Sequence, residues 1–184
     1  MNSPTIPGQN SSGENAAIRV SVAAITGPDG AHLATHRTWL AQRADGTWGK
    51  APLDRPKKVR GSFPGGALRL GRGASGRRLA DARPGEPVAL AEGVETALSV
   101  ALATPELRVL CAVSLGNLAR VELPPAVSVV ILCADNDEGN ETAARALARA
   151  VDRFAADGRE VRIARPPAGV KDWNDYLTAR ETGQ

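Results

Sequence analysis

The sequence predicts an α/β chain: a parallel sheet covered by helices, preceded by a small antiparallel, β-rich, basic segment. Three observations predict it. From Pro87 onward, short continuous apolar runs alternate with stretches of helical spacing, the pattern of strands buried by the helices that connect them. Before Pro87, strand-like stretches are separated by turn signals and show no helical period. Charge divides at the same place. Residues 1–88 hold 13 Lys/Arg against 6 Asp/Glu and residues 89–184 hold 10 against 14, beneath an overall charge of only +3. A basic front and an acidic back suggest two tasks, holding an anion and doing chemistry with carboxylates.

Residues 1–16 are Ser, Asn, Gly and Pro with almost nothing to bury, so a disordered tail is expected. Residues 17–84 form the predicted basic segment. Ile18 to Ile25 is rich in Val, Ile and Ala, and Gly27-Pro28-Asp29-Gly30 turns the chain into a returning strand from His32 to Leu40. Asp45-Gly46 marks a second turn, and residues 47–64 read as a loop with the cluster Arg55, Lys57, Lys58 and Arg60. A short strand, Ala67 to Leu70, precedes a Gly/Arg-rich stretch with the composition of a linker. Residues 85–184 form the predicted α/β domain. Its strands are 87–91, 108–113, 127–134 and 159–164; its helices are 94–103 and 142–156, the second ended by Asp157-Gly158.

Composition excludes several classes. Apolar residues reach 42% but aromatics only 3%, so the core is built from Ala, Val and Leu. Two cysteines, Cys111 and Cys133, make neither a disulfide framework nor a cysteine zinc site, and both sit in apolar runs as small buried hydrophobes. No apolar stretch approaches the roughly 18 residues of a membrane span, and the polar N-terminus lacks the features of a signal peptide. The expected setting is soluble and cytoplasmic, away from the membrane.

Ligands of open parallel sheets bind beyond the carboxyl ends of the strands, so the residues following each strand carry the chemistry. After the first strand comes Glu92-Gly93. After the third comes Asp135-Asn136-Asp137. After the fourth, past a Pro-rich turn, comes Lys171-Asp172-Trp173-Asn174-Asp175. Each acid alone has an ordinary structural explanation: Asp135 or Asp137 as a helix cap, Glu92 as a first-turn glutamate, Asp172 as the cap of a short C-terminal helix. Their joint placement on one sheet edge points instead to a metal site. Crowded carboxylates repel, and a hard divalent cation that prefers oxygen, Mg²⁺ or Mn²⁺, resolves the repulsion. Asp135, Asp137, Asp172 and Asp175 are the candidate ligands. Glu92 is either a further ligand or the acid/base group that moves the proton.

AEGVETALS, LCADNDEGN and KDWNDYL, in this order and spacing, resemble the motifs of a Toprim domain, in particular the Toprim modules of phage- and plasmid-type DNA primases and primase-helicases. The resemblance covers about residues 87–178 and implies a Rossmann-like sheet. It implies that Glu92 is the general acid/base and that Asp135 and Asp137 hold Mg²⁺. It makes Asp172 and Asp175 later acidic positions that assist metal or nucleotide binding. Some primases carry a further aspartate where this chain has Thr96, with Glu95 beside it. The front half, GPDGAHLATHRTWL through GGALRLG, is similar to the segment preceding Toprim in the same proteins. That likeness implies a basic surface for template and nucleotide phosphates, assigned to Arg37, Lys50, Lys57, Lys58 and Arg60, with Lys171 on the acidic side. Trp39 and Trp48 could stack on bases, but in a chain with so few aromatics the expectation is that they anchor a small core.

The resemblance implies Mg²⁺-dependent synthesis of RNA primers on a DNA template from nucleoside triphosphates, in replication of a bacterial, plasmid or phage genome. The chain lacks the cysteines of a zinc-binding template reader and the Gly-rich loop of a helicase motor. The expectation is therefore a primase core that is a fragment, a truncated relative, or a subunit that takes a helicase or template reader in trans. Two alternatives stand beside synthesis: metal-dependent nuclease chemistry with the same motifs, and a non-catalytic DNA-binding remnant of a larger primase.

Overall fold

The computed structural model describes residues 18–136 and 139–181; the expected tail and Asp137 lie outside the described residues. The chain forms two compact units. The described part of the first comprises residues 18–24 and 34–62, and that of the second 25–33, 63–136 and 139–181.

β1 (Ile18–Thr26) and β2 (His32–Gln42) supply the long strands of the first unit through residues 18–24 and 34–42. The far end of β2 turns at Asp45-Gly46, where Asp45 accepts hydrogen bonds from the Thr47 amide (2.9 Å) and hydroxyl (2.6 Å), and returns as β3 (Trp48–Lys50). A further strand, β4 (Lys57–Gly61), pairs antiparallel with β2 and sets Lys58 opposite Arg37 and Arg60 opposite Thr35. The sequence shows residues 47–64 only as loop. β4 reads KKVRG, with one apolar side chain, so it carries no burial pattern and exists because β2 offers it a hydrogen-bonding edge.

The second unit is the α/β layer. Its sheet runs in the order β5-β7-β6-β8-β9, from β5 (Ala67–Arg72), β6 (Val88–Ala91), β7 (Arg108–Cys111), β8 (Val129–Cys133) and β9 (Glu160–Ala164). β6, β7, β8 and β9 are parallel; β5 alone is antiparallel to its neighbour, β7. This is the covered parallel sheet that the apolar runs predict. Every residue of β6 and β7 is buried. The helices are α1 (Val94–Ala103), α2 (Leu115–Leu118), α3 (Glu141–Ala156) and α4 (Trp173–Glu181). α2 is a single turn, too short to show a period in the sequence. On α3, Ala146, Ala150 and Phe154 recur at helical spacing and are buried. Phe154 and Ala150 pack with Val88, Leu90, Leu110, Val130 and Leu132 into one core. Cys111 and Cys133 are buried thiols, as their apolar runs predict. No helix among the described residues is long and apolar enough to cross a membrane.

The stretch with a linker's composition is in fact fastened down. Arg108, 2% exposed, begins β7 and donates to the Arg77 carbonyl (3.0 Å), Ser75 Oγ (3.3 Å) and Glu86 Oε1 (3.2 Å). Gly73 lies against the same strand at φ +68, where a Cβ would stand 3.0 Å from the Arg108 amide nitrogen; the close approach needs glycine. Burial by itself works to raise the Glu86 pKa. The Ser75 hydroxyl, the Arg83 amide and the Arg108 charge outweigh it and hold the carboxyl below the ordinary glutamate range.

Glu86→Ala strands a buried guanidinium and is expected to lower unfolding free energy by about 3 kcal/mol in urea denaturation at neutral pH. The folded pKa is depressed, so the ionised Glu86 stabilises fully above the unfolded value of about 4.3, and that contribution is lost as pH falls through the folded value. The gap between wild type and variant should therefore narrow in acid. A gap that stays constant from neutral pH into strong acid would show that the ionised pair contributes nothing.

Candidate active site

β6 sits between two parallel partners in a shared register: Ala91 pairs with Cys111 of β7 on one side and with Cys133 of β8 on the other. The chain leaves β6 for β7 on one flank, then crosses back to β8 on the opposite flank. Such a reversal opens a crevice at the carboxyl ends of the two strands. Glu92 follows β6 immediately and Asp135 follows β8 by two residues. The strand ends thus bring these two acids to neighbouring positions, both partly buried. They line one small cleft of about 80 Å³ together with Asn140, Arg165 and the apolar side chains of Leu115 and Leu147. Cys133 also lines it. Burial, and then the charge of Asp135, push its thiol up to about 12, so the protonated thiol forms a neutral wall of the cleft.

Thr96, buried in the first turn of α1, donates its hydroxyl to Asp135 at 3.2 Å from Oδ1 and 3.5 Å from Oδ2. The position at which some primases have an extra acid is here a hydroxyl that touches Asp135. Arg165, the first residue beyond β9, donates Nη1 to the Asp135 carbonyl at 2.6 Å. Asn136 fastens the β9–α4 loop. Its amide donates to the Lys171 carbonyl (2.8 Å), and its side-chain nitrogen contacts the carbonyls of Pro166 (3.1 Å), Pro167 (3.2 Å) and Val170 (2.8 Å). One residue between two aspartates thereby fixes the path that delivers Lys171 and Asp172. The turn after β7 carries strain: Val113 has φ +72, a left-handed conformation that costs a β-branched residue of order 1–3 kcal/mol. The Cys111 thiol joins that turn to β6, donating to the Glu92 carbonyl (3.1 Å) and accepting from the Val113 amide (3.3 Å).

The remaining predicted acids lie on α4. Asp172 Oδ1 accepts the Asp175 amide (2.8 Å) and the Asp172 carbonyl accepts the Tyr176 amide (3.1 Å), so Asp172 is the cap of α4. Asp175 is exposed in the first turn. Neither lines the cleft with Glu92 and Asp135. Among the described residues, no three His, Cys, Asp or Glu side chains converge into a metal-holding group, and Asp137 is not among them. Of the predicted cations, Arg37, Lys58 and Arg60 share one face of the first unit, because strand side chains alternate and Arg37 is registered with Lys58. Lys57, registered with Thr38, and Lys50, registered with Leu40, belong to the other face. Lys171 and Arg165 line a second hollow on the β9–α4 loop. Sequence reading missed Arg165 and Asn136 as site residues and marked Thr96 only as the position where some primases carry an aspartate. Arg165 was within reach, since the rule that singles out acids after strand ends applies equally to cations.

A family model described as Toprim domain matches residues 87–183. A second, described as a domain of unknown function (DUF7146), matches residues 9–70. No curated protein matches the chain. Two solved structures share its fold. A DNA primase domain from Pseudomonas aeruginosa is 18% identical with a TM-score of 0.54, over 96% of this chain and 55% of that one. The DnaG primase catalytic domain bound to ssDNA is 18% identical with a TM-score of 0.51, over 87% of this chain and 47% of that one. The chain spans about half the length of these two solved chains.

Asn136→Ala removes the donor shared by the Pro166, Pro167 and Val170 carbonyls. Urea denaturation is expected to show a loss of about 1–3 kcal/mol, and hydrogen exchange should rise in residues 166–172 while the β6 and β7 amides stay protected. Unchanged exchange in that loop would refute the fastening role.

Proposed function

The chain belongs to the Toprim domain family, and on that premise we propose that it performs primase-type nucleotidyl transfer, joining ribonucleotides into an RNA primer on single-stranded DNA. The observation that carries this reading is the pair Glu92 and Asp135 at neighbouring strand ends on either side of the sheet's reversal. Toprim domains generally bind divalent metals, and the donors fit one: both are carboxylates, the oxygen ligands that a hard divalent cation prefers. Asp135 and Asp137 would hold Mg²⁺ or Mn²⁺, with Asp172 and Asp175 as further acidic positions. A bound ion supplies charge neutralisation to the phosphates.

The chain's own groups do the rest. Glu92 accepts the proton of the primer's 3′ hydroxyl as that oxygen bonds to the α-phosphorus of the incoming nucleoside triphosphate. The bond from the α-phosphorus to the bridging oxygen breaks, and pyrophosphate leaves. Thr96 keeps the Asp135 carboxylate oriented, and Arg165 places a fixed positive charge beside it. Arg37, Lys50, Lys57, Lys58, Arg60 and Lys171 attract the phosphates of template and nucleotide. The work belongs in the cytoplasm, in replication of a bacterial, plasmid or phage genome. A helicase and a zinc-binding template reader are the partners such a core would take in trans.

Glu92→Gln and Asp135→Asn should each lower ribonucleotide incorporation on a single-stranded template by at least about 100-fold, with circular dichroism unchanged. Incubation of wild type with Mg²⁺ and single-stranded DNA, with and without nucleoside triphosphates, separates synthesis from hydrolysis. Strand cleavage without nucleotides would favour the nuclease reading. Parental incorporation by either variant would overturn the assignment of the acids.

A further inference from the structure

We propose that Trp39 is a stacking platform for an unpaired nucleic-acid base, with Arg37, Lys58 and Arg60 holding the adjoining phosphates. Trp39 lies on β2, partly exposed, and forms one wall of an open hollow of about 310 Å³ with Leu53, Asp54, Arg55 and Lys58. The Arg37 guanidinium carbon stands 5.3 Å from the centre of its ring and the Lys58 ammonium 5.7 Å. Arg37 and Lys58 face each other across the ladder, and Arg60 follows on the same face. An indole ringed by cations in an open hollow suits a ligand that is aromatic at one end and anionic at the other. A nucleotide within a single strand is both. Every base offers a π face, so stacking of this kind tolerates sequence.

Distance separates Trp39 from the other tryptophan of this unit. Arg19 sits 4.3 Å from the Trp48 ring centre, well inside cation–π range. The cations near Trp39 rest near its outer limit of about 6 Å, so their hold on the ring is weak and moving to a phosphate loses little. Asp54 is the one carboxylate among the residues lining the hollow, which leaves the Arg37–Lys58–Arg60 side for the phosphates. Duplex DNA keeps its base faces inside the stack and cannot use the platform. This inference rests on the nucleic-acid half of the function proposed above and not on the chemistry of the acidic edge. Of the two readings open for Trp39, base stacking and core anchoring, this inference takes the first.

The test is direct. In a Trp48→Phe, Trp173→Phe double variant, Trp39 is the one remaining tryptophan. Its fluorescence should be quenched by an oligothymidylate of about 12 nucleotides and by single-stranded RNA, but not by duplex DNA of the same length. In the otherwise native chain, Trp39→Ala should weaken oligothymidylate binding by about 5- to 150-fold, and Trp39→Phe, which keeps an aromatic face, should recover most of the loss. Lys58→Ala should reduce the slope of log affinity against log salt by about 1. Asp135→Asn should bind and quench like its parent even where it makes no primer, which separates this inference from the catalytic assignment. Strand binding without quenching, equal quenching by duplex, parental affinity in Trp39→Ala, or no binding by wild type would each overturn it.

Discussion

The hydrogen-bond register of β6 with its two parallel neighbours is the constraint on which the rest of this fold depends. Each residue of β6 is at most 1% exposed, so the strand has no solvent edge on which to slip. A shift of one residue against β8 would turn Leu90 and Leu132 away from the core they share and swap every side chain to the opposite face. It would also carry Asp135 about 3.3 Å along the sheet relative to Glu92. The core and the acid pair are thus fixed by one set of backbone bonds. Substitutions that loosen the packing of Phe154 or Leu90 act on the site through this register, although neither side chain lines the cleft.

Holding acids side by side is unfavourable, and the surrounding groups are arranged to offset it. Thr96 gives a hydroxyl to Asp135, Arg165 binds the same residue's carbonyl, and Asn136 spends its amide on three carbonyls of the neighbouring loop. The strained Val113 lies one strand over, on a turn that the Cys111 thiol links to Glu92. Its far side is fastened by Asn117, buried, which donates to the Ala112 and Gly66 carbonyls and accepts the Gly65 amide. A backbone conformation costing of order 1–3 kcal/mol persists only where its surroundings over-determine it, and bonds on both sides of Val113 do so.

Much of this was legible in the sequence, for identifiable reasons. The apolar runs around Val88, Val109 and Val130 could only be buried strands, and Ala146, Ala150 and Phe154 could only face a core. The acids after the first and third strand ends of the α/β unit, Glu92 and Asp135, meet in one cleft, whereas Asp172 and Asp175 lie on α4 and do not line it. What escaped was whatever depends on a partner distant in the chain. β4 has too few apolar residues to announce itself and is defined by the edge of β2. The fastening of residues 73–86 comes from Arg108, a charge that composition assigns to the surface and that the structure buries. Asn136 looks like an ordinary turn residue until the loop carbonyls it meets are known, and Thr96 reads only as a missing acid until its contact with Asp135 is seen. Trp39 stayed open for a related reason: few aromatics favour a core reading, and the Arg37 and Lys58 charges near its ring are set there by strand pairing that the sequence does not show.

The charge division that begins in composition ends as a statement about direction along the strands. The buried pair Arg108–Glu86 lies at the amino-terminal end of β7, while Glu92 and Asp135 follow the carboxyl ends of β6 and β8. The helices enforce this order. In a parallel α/β layer each helix begins at the carboxyl edge, as α1 does at Val94 directly after Glu92, α3 at Glu141 after Asp135, and α4 at Trp173 after Asp172. Their amino ends turn partial positive charge toward that edge. Acids are therefore tolerated there before any cation arrives, whereas a cluster of arginines at the same edge would meet the helices' positive ends. Exposed pairs such as Arg145–Glu141 and Arg162–Glu160 are worth at most about 1 kcal/mol each and cannot account for so consistent a placement. Arg165 is the cation at that edge: it lines the cleft with Glu92 and Asp135 and is held by the Asp135 carbonyl, so its charge sits at a fixed place among the acids.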